Sequence, residues 1–433
     1  MTPAARLAAA IEILDAVIAA ARDEGAAADT IIARYFKERR YAGSKDRRAV
    51  RELVFDAIRT LGERPASGRA AMIGYARAAQ PALLELFGAG GHGPAAIVEG
   101  EAAAVAGLAP VWLIDRLRTR FGADTDREVA ALLGRAPLDL RVNTLKLPHY
   151  REPLHHRHPR EGRGPLAQPS AVMAPRLRGD DDGKIDGLDW PVPVAPTPYA
   201  PLGLRAVEPF NVEAHPAFLS GAVEVQDEGS QLACLAAAAQ PGMTVVDLCA
   251  GAGGKTLALA AAMVNRGRLI ASDSNRDRLS RLVPRAERAG ASQVETLLLD
   301  PGRELDRLAD LIRRADLVLV DAPCSGTGTW RRNPEARWRL TPERLDRLTA
   351  LQARLLDIGA ALVKPGGRLV YVVCSLLPEE GDAQIDRFMA ANPGWAPSPF
   401  ELPTEPAAAS RAVLSPARHG TDGFFIAGLT AIC

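Results

Sequence analysis

Two cysteines stand at the ends of two apolar runs, Cys324 in DLVLVDAPCSGTG (316–328) and Cys374 in RLVYVVCSLLPEEGD (368–382). Each run is a near-continuous stretch of Val and Leu, the pattern of a parallel strand buried on both faces. Ligands of open α/β sheets bind at the carboxyl ends of the strands, so both thiols are expected to flank one crevice. Thiols in that position suit covalent catalysis, in which one difficult step is divided into easier ones. Carbon 5 of a cytosine is a poor nucleophile, but a thiolate that adds to carbon 6 makes the ring an enamine able to attack an electrophilic methyl group. The carbon-5 hydrogen must then leave and the thiolate be expelled, which asks for a second acid/base group. A carboxylate near ring nitrogen 3, such as Asp321, would stabilise the adduct. Cysteine also serves as a small buried hydrophobe; Cys234 and Cys249 are read that way, and Cys433 as incidental.

A second constellation is the stretch VVDLCAGAGGKT (245–256), a strand, a Gly-rich turn and a helix start, where backbone can approach a ligand closely. A phosphate-binding loop would need Gly where Cys249 stands, and a dinucleotide fingerprint counted from Gly251 would need Gly in place of Thr256. What remains is a Gly-rich turn followed by Asp273 at the end of the next strand, twenty-two residues beyond Gly251, placed for ribose hydroxyls. Asp300 and Asp321 end the two strands after that. A lone strand-end Asp is usually a cap or turn former, but three in succession beside such a loop fit S-adenosylmethionine better than a nucleotide phosphate.

The elements that must position these groups form a regular α/β alternation from about residue 221. Strands are expected at MTVVDL (243–248), RLIASD (268–273), VETLLLD (294–300), DLVLVDAP (316–323) and RLVYVVCS (368–375), with a helix over 255–263. FFIAGL (424–429) would be a last, antiparallel strand at or near the edge. Ahead of this sheet, Leu7, Ile11, Leu14 and Ile18 form one helical stripe and Val50, Leu53, Val54, Ala57, Ile58 and Leu61 another, with Ser44 as an N-cap. Ala-rich helices broken at Pro81, at 88–93 and at Pro110 continue to 136. PLDLRVNTLK (137–146) is strand-like, whereas 147–196 is dense in Pro, Arg, His and Asp and is read as irregular loop. His149, His155, His156 and His158 lack a Cys or carboxylate at ligand spacing, and RGDDDGKIDGLD (178–189) lacks the Glu that closes a calcium loop, so no metal is expected. The expected organisation is a helical domain over 1–136, a linking region over 137–220 and an α/β domain over 221–433.

With 433 residues, 24% charged and 47% hydrophobic, the chain has the composition of a globular protein of more than one core. Five widely spaced cysteines make no disulfide framework, and Glu12 and Asp15 interrupt the first apolar stretch, so reduced thiols in the cytoplasm and no membrane span are expected. The net charge is only +1, yet Arg34, Lys37, Arg39, Arg40, Lys45, Arg47, Arg48 and Arg51 face only Glu38 and Asp46 in their stretch, with Tyr35, Phe36 and Tyr41 among them. That mixture suits a surface that meets phosphates and stacks bases, or equally a solvated helix face over core aromatics. Arg331, Arg332, Arg337 and Arg339 interleave with Trp330 and Trp338 after the Pro-Cys turn and pose the same choice.

VVDLCAGAGGKT, DAPCSGTG and YVVCSLLPEEGD, with QDEGSQ (226–231) ahead and HGTDGFFIA (419–427) behind, resemble the Sun/RsmB-type RNA cytosine-5 methyltransferases. The likeness covers 137–146 and 197–430, and the N-terminal helices resemble, less strongly, a NusB-like RNA-binding domain. It implies a Rossmann-like S-adenosylmethionine-dependent domain behind an all-α NusB-like domain, acting on 16S ribosomal RNA as a monomer. By the same likeness Cys374 is the nucleophile and Cys324 assists product release, with Asp321 kept as the carboxylate expected to support the adduct. Cys249, Ala250, Gly251, Ala252, Gly253, Gly254 and Lys255, with Asp273, Asp300 and Asp321, would hold the cofactor. DNA cytosine-5 methyltransferases attack with the Pro-Cys thiol and lack the other, so two thiols favour RNA; a non-catalytic RNA-binding or ribosome-assembly protein on the same fold is the other alternative. Gly253 replaces a frequent Pro, Val373 replaces a usual Thr or Ser, and 147–196 stands in place of a small RNA-contacting subdomain.

Overall fold

The structure is a computed structural model and describes residues 1–22, 25–151 and 188–432. The histidine-rich and acidic stretches within 152–187 lie outside the described residues, as does Cys433. Helices α1 (Pro3–Arg22), α2 (Ala28–Glu38), α3 (Ser44–Thr60) and α4 (Gly68–Ala79) share one core in which the two apolar stripes meet: Leu7, Leu14 and Ile18 pack with Val50, Val54 and Ile58. Ser44 is already helical; Gly43, with extended backbone, is the capping residue and lends no side-chain bond. Beyond Pro110 the helical region changes allegiance. Leu113 and Leu117 of α5 (Val111–Phe121) and Val129 and Leu132 of α6 (Thr125–Leu132) pack against Trp330, Leu376 and Leu377, around the thiol-bearing turns.

A small antiparallel sheet follows, made of β1 (Leu138–Val142), β2 (Val194–Pro196), β3 (Gly203–Ala206) and β4 (Val223–Val225) in the order β2-β3-β1-β4. The irregular loop expected over 147–196 is thus corrected at its end. Val194 is buried with Leu140 and Leu204, and Pro196 is tolerated because β2 is an edge strand, where a missing N–H breaks no ladder.

The large sheet consists of β5 (Thr244–Asp247), β6 (Arg268–Asp273), β7 (Val294–Leu298), β8 (Ala315–Asp321), β9 (Val363–Val373), β10 (Trp395–Pro397), β11 (Arg411–Leu414) and β12 (Phe424–Ala431). Its order is β10-β12-β9-β8-β5-β6-β7, with β11 also paired to β12. Strands β5 to β9 are mutually parallel, and β12 runs antiparallel to β9 with the short β10 and β11 covering it. The Val/Leu runs are explained by helices on both faces: on β8, Leu317 and Leu319 enter one core while Val318 and Val320 enter the other. Each such side chain contributes about 1.5–3 kcal/mol on burial. The result is a doubly wound, Rossmann-like sheet. From β5 the chain winds through β6 to β7 on one side and returns with β8 on the other, so a crevice opens between the carboxyl ends of β5 and β8. No helix among the described residues is long and apolar enough to cross a membrane.

Candidate active site

The Gly-rich turn after β5 forms one wall of this crevice. Gly251 and Gly253 adopt φ of +56° and +88°, a left-handed backbone that favours glycine. A Cβ on Gly251 or on Gly254 would meet nothing within 4 Å, so the turn leaves open space beside its backbone. Asp273, ending β6, accepts the Gly251 N–H at 2.8 Å and the Asn275 N–H at 2.7 Å, which fixes both the turn and the carboxylate. Asp247 at the end of β5 is fully buried and takes the Thr256 hydroxyl at 2.7 Å, while its Oδ1 has no partner. Burial, countered by the Thr256 bond and reinforced by the Asp321 charge, pushes Asp247 up to about 7.

The opposite wall carries the thiols. Strands β8 and β9 end side by side, and Cys324 Sγ lies 3.3 Å from Cys374 Sγ. Both residues are half-buried. The bond to the Cys374 sulfur, burial and the nearby Glu380 charge push the Cys324 thiol well above its usual value. Between the walls, Lys255 Nζ donates to Asp321 Oδ2 at 2.6 Å. Burial opposes the ammonium, but Asp321 outweighs it and holds Lys255 above the ordinary lysine range. A carboxylate, an ammonium and two thiols therefore line one crevice that also carries the Gly-rich turn.

Glu380 was not singled out in the sequence, yet it ties the two thiol-bearing turns together. Its fully buried carboxylate accepts the Ser325 N–H at 2.8 Å and the Gln352 amide at 2.9 Å, and also the hydroxyls of Ser325 and Ser375. Thr327 adds a bond to the Ser375 hydroxyl at 3.0 Å, and the Gly328 N–H donates to the Cys374 carbonyl at 3.0 Å. The one available signal was an acid six residues past Cys374 in an apolar run, and local pattern does not distinguish it from its neighbour Glu379.

The remaining expected residues take several roles. Ala250 is buried, its N–H donating to the Ser272 carbonyl at 2.9 Å, and the Ala252 carbonyl accepts from Arg285 at 2.7 Å. Cys249 packs at the edge of a core, and burial together with the Asp321 and Asp247 charges raises its thiol well above the usual value, as expected of a structural cysteine. Asp300 follows β7, exposed, and its carboxylate makes no hydrogen bond among the described residues.

Of the two alternatives open for the cluster around the tryptophans, internal packing is the one found. Trp330 and Trp338 are core residues, 0% and 2% exposed, and all four arginines are engaged internally. Arg331 and Arg332 bind Asp422 and Asp227. Asp227 is pushed up to about 6 by burial and by the Asp422 charge. Arg337 donates to the carbonyls of Ile58, Arg59 and Leu61 at the carboxyl end of α3, and Arg339 to those of Gly25 and Ala26. They join the helical domain to the large sheet and leave no guanidinium of this group for a ligand backbone. In the basic stretch, Phe36 is buried and Tyr35 is covered by Arg39 and bonded to Glu12, so Tyr41, 74% exposed, is the aromatic presented to solvent. Lys37, Arg40 and Lys45 stand exposed nearby without an ion pair among the described residues.

The family model described as 16S rRNA methyltransferase RsmB/F matches residues 234–430. A probable ribosomal RNA small subunit methyltransferase B of Synechocystis sp. is 34% identical over 331 residues, which are 74% of this chain and 66% of that protein. The ribosomal RNA small subunit methyltransferase B of Thermus thermophilus is 36% identical over 252 residues, 57% of this chain and 61% of that protein. The chain thus spans a little under two thirds of the length of these relatives. Among solved structures, that of PH0851 is 25% identical, with a TM-score of 0.70 and 99% of both chains covered. A methyltransferase homolog from Pyrococcus horikoshii is 27% identical, with a TM-score of 0.56 over 75% of this chain and 96% of that one.

Proposed function

Because residues 234–430 match the model of the 16S rRNA methyltransferases RsmB/F, we propose that this chain is a member of that family and methylates carbon 5 of a cytosine in small-subunit ribosomal RNA. The observation that carries this reading is the 3.3 Å approach of Cys324 and Cys374 across from the Gly-rich turn. The turn fits S-adenosylmethionine: open space beside Gly251 and Gly254, a fixed carboxylate at Asp273, and a buried Asp247 oxygen awaiting a donor. The residues that would hold it are Cys249 to Lys255, Asp273, Asp300 and Asp321. When bound, it supplies an electrophilic methyl group.

The chain's own groups do the rest. Cys374 adds to carbon 6 of the base, which must be single-stranded or turned out of its stack to reach the crevice. Asp321, held by the Lys255 ammonium, accepts a hydrogen bond from ring nitrogen 3 once that nitrogen has taken up a proton from solvent as the thiolate adds, and so supports the adduct. Cys324 is the group that hydrogen-bonds the Cys374 sulfur among the described residues. With its own thiol kept protonated, it stabilises Cys374 as a departing thiolate once carbon 5 has given up its proton to a solvent water. Exposed Lys37, Arg40, Lys45 and Tyr41 give the RNA a second, backbone-directed contact.

The test is methyl transfer from labelled S-adenosylmethionine to unmodified ribosomal RNA by wild type, Cys374→Ala and Cys324→Ala, with denaturing gels for covalent complexes. Label on carbon 5 with wild type, none with Cys374→Ala, and a trapped protein–RNA adduct with Cys324→Ala are expected. Cofactor binding without label on any RNA would overturn the enzymatic reading in favour of an RNA-binding protein.

A further inference from the structure

Three arginines among the described residues are almost fully buried: Arg141 at 4% exposure, Arg331 at 7% and Arg337 at 0%. A guanidinium removed from water needs an anion or a set of carbonyls around it. Arg331 has Asp422 at 3.0 Å, and Arg337 has three carbonyls at the negative end of α3. Arg141 has neither. Its Nε donates to the neutral Gln226 amide oxygen at 2.6 Å, its Nη1 is buried without a partner, and its Nη2 makes no hydrogen bond among the described residues.

The carboxylates nearest Arg141 are hydrogen-bonded to other arginines, although the charge of Glu224 still reaches it. Strand alternation sends Leu140 and Val142 into the small sheet's own core and turns Asp139 and Arg141 toward the large domain. Asp139 is taken by Arg205, at 2.7 and 2.9 Å. Glu224, the register partner of Arg141 on β4, is held by Arg285 at 2.9 Å and by Arg288 at 2.5 Å. These contacts also locate Arg141 beside the crevice. Arg285 donates to the Ala252 carbonyl of the Gly-rich turn, and Gln226, which holds Arg141, also donates to Cys234 Sγ, a thiol that feels the charge of both Arg141 and Lys255.

We propose that Arg141 is a binding residue for a phosphodiester of the RNA strand that carries the target nucleotide. The inference rests on the RNA-methyltransferase reading above. Nη1 is enclosed by protein, so Nη2, unbonded among the described residues, is the nitrogen that meets a phosphate oxygen, with the guanidinium charge behind it. A nucleotide turned out of its stack brings its own phosphates to the crevice with it. The groups fitted to the cofactor all come from 247–321, whereas Arg141 is contributed by the separate small sheet. The RNA strand is therefore the ligand whose anion it meets.

The experiment compares full-length wild type, Arg141→Met and Arg141→Lys. S-adenosylhomocysteine binding is measured by calorimetry, and binding of a small-subunit ribosomal RNA fragment is measured across a salt series without cofactor. Arg141→Met is expected to bind S-adenosylhomocysteine within twofold of wild type, to bind RNA at least tenfold more weakly, and to lower the slope of log affinity against log salt by about 0.7. Arg141→Lys, which keeps the charge but loses the guanidinium fixed by Gln226, is expected to retain the slope and recover part of the affinity. If Arg141→Met does not fold, Arg141→Lys carries the test, through a loss of RNA affinity at unchanged S-adenosylhomocysteine affinity. A weakened S-adenosylhomocysteine affinity with unchanged RNA binding would assign Arg141 to the cofactor carboxylate, and unchanged binding of both would make it structural; either overturns the proposal. Failure of the enzymatic reading is seen separately, as wild type that binds RNA and S-adenosylhomocysteine but transfers no methyl group.

Discussion

The sulfurs of Cys324 and Cys374 lie 3.3 Å apart although fifty residues separate them, and one carboxylate, Glu380, holds both of their turns. Their spacing therefore depends on a residue that need not touch a substrate. Glu380→Ala strands the Ser325 N–H and the Gln352 amide in a buried site, which costs roughly 2–6 kcal/mol at about 1–3 kcal/mol per unsatisfied group. Glu380→Gln, which can keep one acceptor, is expected to fold better yet lose most of the methyl transfer, because one amide oxygen cannot replace two carboxylate oxygens. Urea denaturation and methyl-transfer rates on the same two variants check this.

The same distance predicts a redox behaviour. Mild oxidation with diamide, which takes up two electrons and two protons, is expected to join the pair as a disulfide with little movement of the chain. Intact-mass measurement should show a loss of two hydrogens per chain, absent from Cys324→Ala and Cys374→Ala and reversed by a dithiol. Oxidation elsewhere, with Cys324 and Cys374 still alkylatable, would mean that the two sulfurs do not approach in solution.

Asp247 predicts a pH dependence with a definite sign. Burial raises its folded-state value from 3.8 to about 7, so between these values the folded chain holds a proton that the unfolded chain has released. Its contribution to stability is therefore present at low pH and is lost as pH rises toward neutrality. Asp247→Asn keeps an acceptor for the Thr256 hydroxyl and removes the charge. Its stability relative to wild type is expected to be near zero at pH 4 and to grow to about 4 kcal/mol at pH 8, from about 1.4 kcal/mol per tenfold change in proton affinity over the rise from 3.8 to about 7. Urea titrations of both proteins across this range measure the difference, and a flat difference would show that Asp247 is not desolvated.

Arg337 and Trp338 predict how the helical domain is attached. Trp338 enters the α1–α4 core, while Arg337 collects carbonyls at the end of α3. Trp338→Ala is expected to cost about 3–5 kcal/mol as a large buried side chain. Arg337→Met, which keeps the stem, should cost less in folding but loosen the junction. Limited proteolysis should then release the helical domain from Arg337→Met sooner than from wild type, while S-adenosylhomocysteine binding to the large domain is retained.

Much of the architecture was legible because it is written in local pattern. Runs such as Leu317 to Val320 have only one comfortable environment, a strand covered on both faces, and a turn with Gly251 and Gly253 at positive φ is open to few other residues. Strand order then brought Cys324, Cys374, Asp321 and the Gly-rich turn to one end of the sheet, as their places at strand ends implied. Where the signal was weak, expectation and structure parted. The three-residue strands β2 and β10 carry too short a pattern to read, and Val194 is recruited by the neighbours it buries rather than by its own segment.

The sequence by itself determined which strands would be buried, where the chain must turn, and that two thiols and three carboxylates would end strands of one sheet. Only the tertiary structure decided which charges are spent internally and which are left over. Arg331, Arg337 and Arg141 look alike as residues, yet one faces Asp422, one faces the end of a helix, and one stands beside a carboxylate already held by two other arginines. The physical reason is that element type follows from the periodicity of near neighbours, whereas the cost of a buried charge or a thiol pair depends on partners fifty to three hundred residues away, which no local pattern records.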